Sequence, residues 1–133
     1  MNKVNKSFLR DSHYITDLRL CSVRLMNNSN FPWIILIPNR KNITDITELN
    51  SKDQILLMKE IVHCSKLMQK IFKTSKLNVE KIGNIVSQLH IHIIARSEKD
   101  RTWPLSVWVI KMKPYSKILL KKTASKIKKY FKE

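Results

Sequence analysis

One glycine, two cysteines, four prolines and ten acidic residues are all this 133-residue chain holds of those kinds. Each shortage excludes something. Walker-type phosphate loops and dinucleotide fingerprints need several glycines within a few residues, so a lone Gly83 excludes both. Cys21 and Cys64 lie far apart, each inside an apolar stretch, which rules out a paired-cysteine metal knuckle or a redox pair. Buried free thiols are the expectation, and they suit a reducing, cytoplasmic compartment. Long apolar runs are missing as well. The run at 34–37 (Ile-Ile-Leu-Ile) is far short of the ~20 residues a membrane span needs, so no span is expected. Residues 1–11 carry Lys3, Lys6 and Arg10 with no apolar block, and no secretory leader is expected there.

What the chain has in abundance is positive charge: 26 Lys and Arg against 10 Asp and Glu, a formal net charge of +16. That balance suggests an anionic partner such as a nucleotide, a nucleic acid or an acidic surface. A solvated lysine coat that touches nothing explains it equally well. The length suits a single domain, 1–133, and 43% hydrophobic residues suffice for its core.

Residues 1–17 mix polar signals and read as an irregular or short helical lead. Alternation over 18–26 predicts a strand, the Asn-Asn-Ser-Asn run at 27–30 a turn, and 34–37 a second strand ended by Pro38. The spacing predicts a long helix from Ser51 to Phe72. Ser51 and Gln54 read as its capping box, and Ile55, Met58, Ile61, Val62, Ser65, Met68, Ile71 and Phe72 as its stripe, widened by Leu56, Leu57 and Leu67. Strands are expected at 77–79, at 85–96 after a Gly83-Asn84 turn, and around 107–110. A basic amphipathic helix is expected over 115–131, with Ile118, Leu119, Ile127 and Phe131 on its apolar face. One long helix among strands implies an α+β domain with an antiparallel sheet of about five strands. Its core should span about 18–110, with 113–133 as a basic C-terminal helical extension. Such a helix ordinarily packs on the domain and leaves its lysines in water, so neither nucleic acid nor a membrane is the expected partner.

The informative segment is Gln88-Leu89-His90-Ile91-His92-Ile93-Ile94. On a strand, Gln88, His90 and His92 share one face while Leu89, Ile91 and Ile93 share the other. The apolar face is core. The polar face has three readings: an internally satisfied or solvent-facing row, a metal site, or a catalytic, phosphate-binding imidazole row. A metal would need a third ligand, and only His13 and His63 remain. No protein metal site is therefore expected.

The same segment resembles the histidine triad (HIT) motif, His-φ-His-φ-His-φ-φ, with Gln88 in the first place. Residues 31–38, 43–49 and Trp103-Pro104 also resemble family segments in order and spacing. The likeness covers about 18–110, and 83–90 is similar to a bacterial Ap4A-hydrolase-like branch that carries Gln at that place. The resemblance implies a nucleotide-binding α+β fold, a homodimer, and cleavage at the α-phosphate of a purine nucleotide, a dinucleoside polyphosphate or a nucleoside phosphoramidate. No cofactor is expected on the protein itself, although a divalent metal can accompany the substrate's phosphates. His90 takes the place of the nucleophile, whose neutral imidazole would form a nucleotidyl intermediate, and His92 that of the orienting histidine. Ser87, Asn84 and Asn78 fall where phosphate is held, Asn27 near the ribose position. Two departures stand out. Gln88 cannot act as an acid near pH 7. Lys41 or Asn42 replaces a histidine after the Pro turn, leaving Arg40 and Lys41 to neutralise phosphate. Slow hydrolysis, a restricted leaving group or binding without turnover are all compatible with these changes.

Overall fold

The computed structural model describes residues 3–132. In chain order come α1 (Lys6–Asp11), β1 (Ser12–Asp17), β2 (Cys21–Met26), β3 (Trp33–Pro38), α2 (Ser51–Phe72), β4 (Leu77–Glu80), β5 (Ile91–Ala95) and α3 (Lys117–Phe131). The five strands form one antiparallel sheet in the order β1-β2-β3-β5-β4, and the fold is α+β. Because side chains alternate along a strand, the sheet has two faces with separate cores. Val23, Leu25, Ile34, Leu36, Ile91 and Ile93 pack beneath Cys64, Met68, Ala124 and Ile127 of α2 and α3. Trp33, Ile35, Ile37 and Ile94 point the other way and pack with Phe8 of α1 and with Val107.

The polar lead is in fact structured. Asn5 caps α1 by accepting from the Ser7 amide, and β1 pairs with β2 as an edge strand with a bulge between Tyr14 and Thr16. His13, Thr16 and Asp17 hide this strand from a hydrophobic pattern, since only Ile15 and Ser12 are buried on it. The strand expected over 18–26 begins only at Cys21, because the Leu20 and Cys21 amides donate to the Glu60 carboxylate, both at 2.9 Å, instead of to a neighbouring strand.

Helix α2 has the expected bounds but not the expected cap, and its expected stripe holds only in the second half, at Met68 and Ile71. Asn50, not a Ser51–Gln54 box, accepts from the Asp53 amide, while the Gln54 side chain donates to the Leu49 carbonyl. The buried line runs Asp53, Leu57, Glu60, Cys64, Met68, Ile71, and it leaves Ile55 and Met58 about 60% exposed. Two carboxylates turn the helix this way. Glu60 must reach the β2 amides, and Asp53 holds Arg40 in a two-pronged pair at 2.7 and 3.0 Å. In α3 Ile118 and Leu119 are exposed, whereas Ile127 is buried as expected, with Ala124 beside it.

Two further expectations fail for one reason each. The strand over 85–96 is confined to Ile91–Ala95, since the chain before it swings out to form a rim. No strand forms at 107–110: Arg96 and Asp100 hold the intervening segment as a turn, and Val107–Val109 becomes a single 3-10 turn. The fifth strand is therefore β1, from the lead.

Candidate active site

Register places the histidines. Ile35 pairs with His92 and Leu36 with Ile91, so His92 shares the face of Ile35 and Trp33, opposite α2. His90 lies just before β5 and keeps the alternation, its ring packing edge-on to His92 at 4.7 Å.

Each ring has one tautomer. His90 Nδ1 lies 2.8 Å from the Gln88 carbonyl oxygen, which can only accept, so Nδ1 carries the proton and Nε2 keeps a lone pair. Burial pulls the His90 pKa below its ordinary value, and the Lys81 charge adds to this against the opposing pull of the Gln88 carbonyl. The result is a neutral imidazole with its nucleophilic nitrogen fixed. For His92 the order is reversed: the Trp33 indole Nε1–H donates to Nδ1 at 3.0 Å, which puts the proton on Nε2. Burial, and then the neighbouring His90, push the His92 pKa down to about 3. Trp108 packs edge-on to both His92 and Trp33, at 5.2 and 5.0 Å, and its own Nε1 donates to Glu80 at 2.7 Å.

That depressed value has a measurable consequence. Below about pH 6.5 the unfolded chain protonates its His92 while the native state does not, so stability is lost as pH falls from about 6.5 toward about 3. The expected slope from this one group is about 1.4 kcal/mol per pH unit. Urea denaturation at pH 7 and pH 5 should show it in the wild type and not in His92→Phe; equal slopes in the two proteins would remove His92 as the cause.

A cleft of ≈ 300 Å³ opens over these rings. Phe8, Met26, Val86 and Trp108 wall it with apolar surface, and Gly83 and Asn84 form its rim. Phe8 meets His90 edge-on at 4.6 Å. Gly83 has φ +75, a left-handed conformation that other residues adopt at a cost, whereas an added Cβ would meet nothing closer than 3.6 Å. Gly83→Ala should therefore cost about 1 kcal/mol through backbone strain alone, read as a shifted urea midpoint with unchanged slope.

The other sequence-selected residues divide sharply. Asn84 borders the cleft, and Ser87 is exposed on the same segment. Gln88 faces away from it: its Oε1 accepts from the Asn5 amide at 2.8 Å and its Nε2 donates to the Lys3 carbonyl at 3.1 Å, pinning residues 3–5. Asn27 accepts from the Tyr115 amide at 2.8 Å and ties down the approach to α3. Asn78 accepts from Arg96 at 2.7 Å. Arg40 is paired with Asp53 beside α2, on the opposite side of the sheet, and Lys41 is exposed in the following turn. Sequence reasoning missed Phe8, Trp33 as a partner of His92, Trp108 and Glu80. Trp33 alone had a signal, since a residue two places from His92's cross-strand partner lies on its face. Among the described residues no group of three or more His, Cys, Asp or Glu side chains could hold a metal ion, and no helix is long and apolar enough to cross a membrane.

Comparison with known proteins follows the same outline. The HIT domain family matches residues 8–99. A histidine triad protein of Sinorhizobium meliloti is 36% identical with a TM-score of 0.92, each chain being covered over 96% of its length. One from Marinobacter aquaeolei is 34% identical with a TM-score of 0.94, over 99% of this chain and 97% of the other. A Plasmodium falciparum diadenosine triphosphate hydrolase shares the fold at 20% identity and a TM-score of 0.66, over 97% of this chain and 79% of its own. No similar protein was found among the curated ones.

Proposed function

Because this chain belongs to the HIT domain family, we propose that it cleaves nucleotides at the α-phosphate through a nucleotidyl intermediate on His90. The observation that carries this reading is the 2.8 Å bond between His90 Nδ1 and the Gln88 carbonyl, which leaves Nε2 of a neutral, buried ring as the attacking atom. Nε2 forms a bond to the α-phosphorus, the bond from phosphorus to the leaving group breaks, and the electron pair departs with that group. The positive charge that develops on the ring is met by the carbonyl at Nδ1–H. Water then attacks the phosphorus, releasing the mononucleotide and restoring the neutral ring. The apolar walls suit a purine base, and the Gly83–Asn84 rim suits the phosphate.

Gln88 narrows the substrate. Its amide cannot donate a proton near pH 7, and both its ends are held by residues 3 and 5. Leaving groups that depart as stable anions, such as the polyphosphate of a dinucleoside polyphosphate, fit this site better than an amine that must be protonated first. This supports placing the chain in the Ap4A-hydrolase-like branch that carries Gln in the first triad place. A divalent cation, on this reading, comes with the substrate's phosphates. The protein works as a cytoplasmic homodimer, a setting in which its two buried thiols stay reduced.

A second reading, a nucleotide-binding module without turnover, is favoured by the same engaged Gln88. Incubation with diadenosine tetraphosphate and, separately, adenosine phosphoramidate discriminates them. AMP is expected from both, at least about tenfold faster from the polyphosphate. Thermal stabilisation by AMP with no product after prolonged incubation would establish the binding module, and neither product nor stabilisation would sink both readings.

A further inference from the structure

The sheet face that bears the histidines has a second hollow, of ≈ 220 Å³, lined by Arg24, Arg19, Tyr14 and Gln88. Cross-strand pairing runs Tyr14, Arg24, Ile35, His92, so Arg24 lies in the same row as His92, two strands away. Val4 and Gln88 border the hollow, and Gln88 also pins the N-terminal segment whose helix α1 closes over His90.

Arg24 is unusual for its charge. The side chain is only 8% exposed, yet its partners are neutral: Nε donates to the Ser12 hydroxyl at 2.7 Å and Nη2 to the Ser12 carbonyl at 3.1 Å. The Ser12 hydroxyl in turn donates to the Phe8 carbonyl. Nη1 has no protein partner and is left open to solvent, and no carboxylate pairs with Arg24, among the described residues. Asp17, the acid on the lining of the hollow, is exposed and acts on Tyr14. Sequestering a guanidinium without a counter-charge is costly unless an anion completes it. Arg24 and Arg19 against the single Asp17 leave the hollow net positive, and a guanidinium edge with a spare donor matches a tetrahedral oxyanion.

We propose that the Arg24 hollow is an anion-binding site that takes a phosphate group, separate from the cleft over His90. Leu18, Leu20 and Ile37 on its walls leave apolar surface for a small organic remainder, so a phosphomonoester is the preferred form.

The test is a residue-resolved NMR titration of the whole 15N-labelled protein with inorganic phosphate and, separately, glycerol 3-phosphate, at constant ionic strength. Saturable shifts are expected at the Arg24 Nε–Hε signal and at the Tyr14 and Ser22 amides. Tighter saturation by the ester identifies a phosphomonoester as the ligand, and equal saturation identifies free phosphate. Arg24→Gln should weaken binding at least about tenfold, with Arg24→Lys between it and the wild type. Shifts that saturate only at 83–87 would assign the phosphate to the His90 cleft and overturn the proposal. Unsaturating shifts spread over the lysine-bearing surface would overturn it too. Because the wild-type map decides by itself, an Arg24→Gln protein that failed to fold would not rescue the idea.

Discussion

His90→Ala is expected to lower turnover of diadenosine tetraphosphate by at least about 10³-fold and to abolish any nucleotide adduct seen by intact-protein mass spectrometry. The effect is large because, of the two histidines lining the cleft, His90 keeps a ring-nitrogen lone pair; on His92, Nδ1 is bonded to the Trp33 indole and Nε2 carries the proton. The fold should survive. The substitution leaves the Gln88 carbonyl without its ring partner and opens a small space beside Phe8, a loss of about 1–3 kcal/mol. Full activity in a folded His90→Ala protein would end the assignment. Loss of turnover with AMP binding retained would separate chemistry from recognition. Arg24→Lys, far from this ring, should leave the rate with diadenosine tetraphosphate unchanged, so the two site assignments fail independently.

The second large effect concerns Arg96. Its guanidinium is 2% exposed and meets Asp100 through Nε at 2.7 Å and Nη2 at 3.1 Å, Asn78 at 2.7 Å and the Leu105 carbonyl at 2.7 Å. The Phe31 and Trp103 rings lie over it at 5.4 and 5.6 Å. Arg96→Met should destabilise the protein by about 3–5 kcal/mol, because it strips a buried carboxylate of its counter-charge and frees several polar partners at once. Burial alone would raise the Asp100 pKa, but the Arg96 bond, with the Ser97 and Thr102 amides, holds it at about 2. That contribution is present above the ordinary carboxylate range, about 3.9, and lost as pH falls toward about 2, so the difference between wild type and variant should shrink in acid. The same network shapes the turn that delivers Trp108 to His92, and activity should fall with stability. Urea denaturation at neutral pH is the check. A loss below about 1 kcal/mol would show that the network is incidental.

Much of the site was legible along the chain because it rests on local periodicity. A two-residue period places His90 and His92 on one side of their strand whatever the rest does, and the break expected before them at Gly83-Asn84 is where Gly83 takes a positive φ. The long helix was legible in its bounds for a similar reason, a sustained apolar period closed by polar ends. In its first half the phase was not. Ile55 and Met58 look more hydrophobic than Glu60 and Asp53, but the carboxylates have fixed appointments with the Leu20 and Cys21 amides and with Arg40, and they turn inward. Gln88 reads with the site because a two-residue period puts it on the face of His90 and His92. Its partners, residues 3 and 5, lie 83 and more positions away, where no pattern in the strand points.

By itself, then, the sequence determined the α+β architecture, the central strands, the long helix and the histidine pair, all of which follow from spacing within a dozen residues. Tertiary structure alone decided that the lead supplies the fifth strand as well as a short helix, that Trp33 and Trp108 enclose His92, and that Asn27, Asn78 and Arg40 are engaged elsewhere. The physical reason is the same in every case. A buried donor, acceptor or charge must be satisfied by whatever the fold brings within about 3 Å, and that partner is set by topology instead of by distance along the chain.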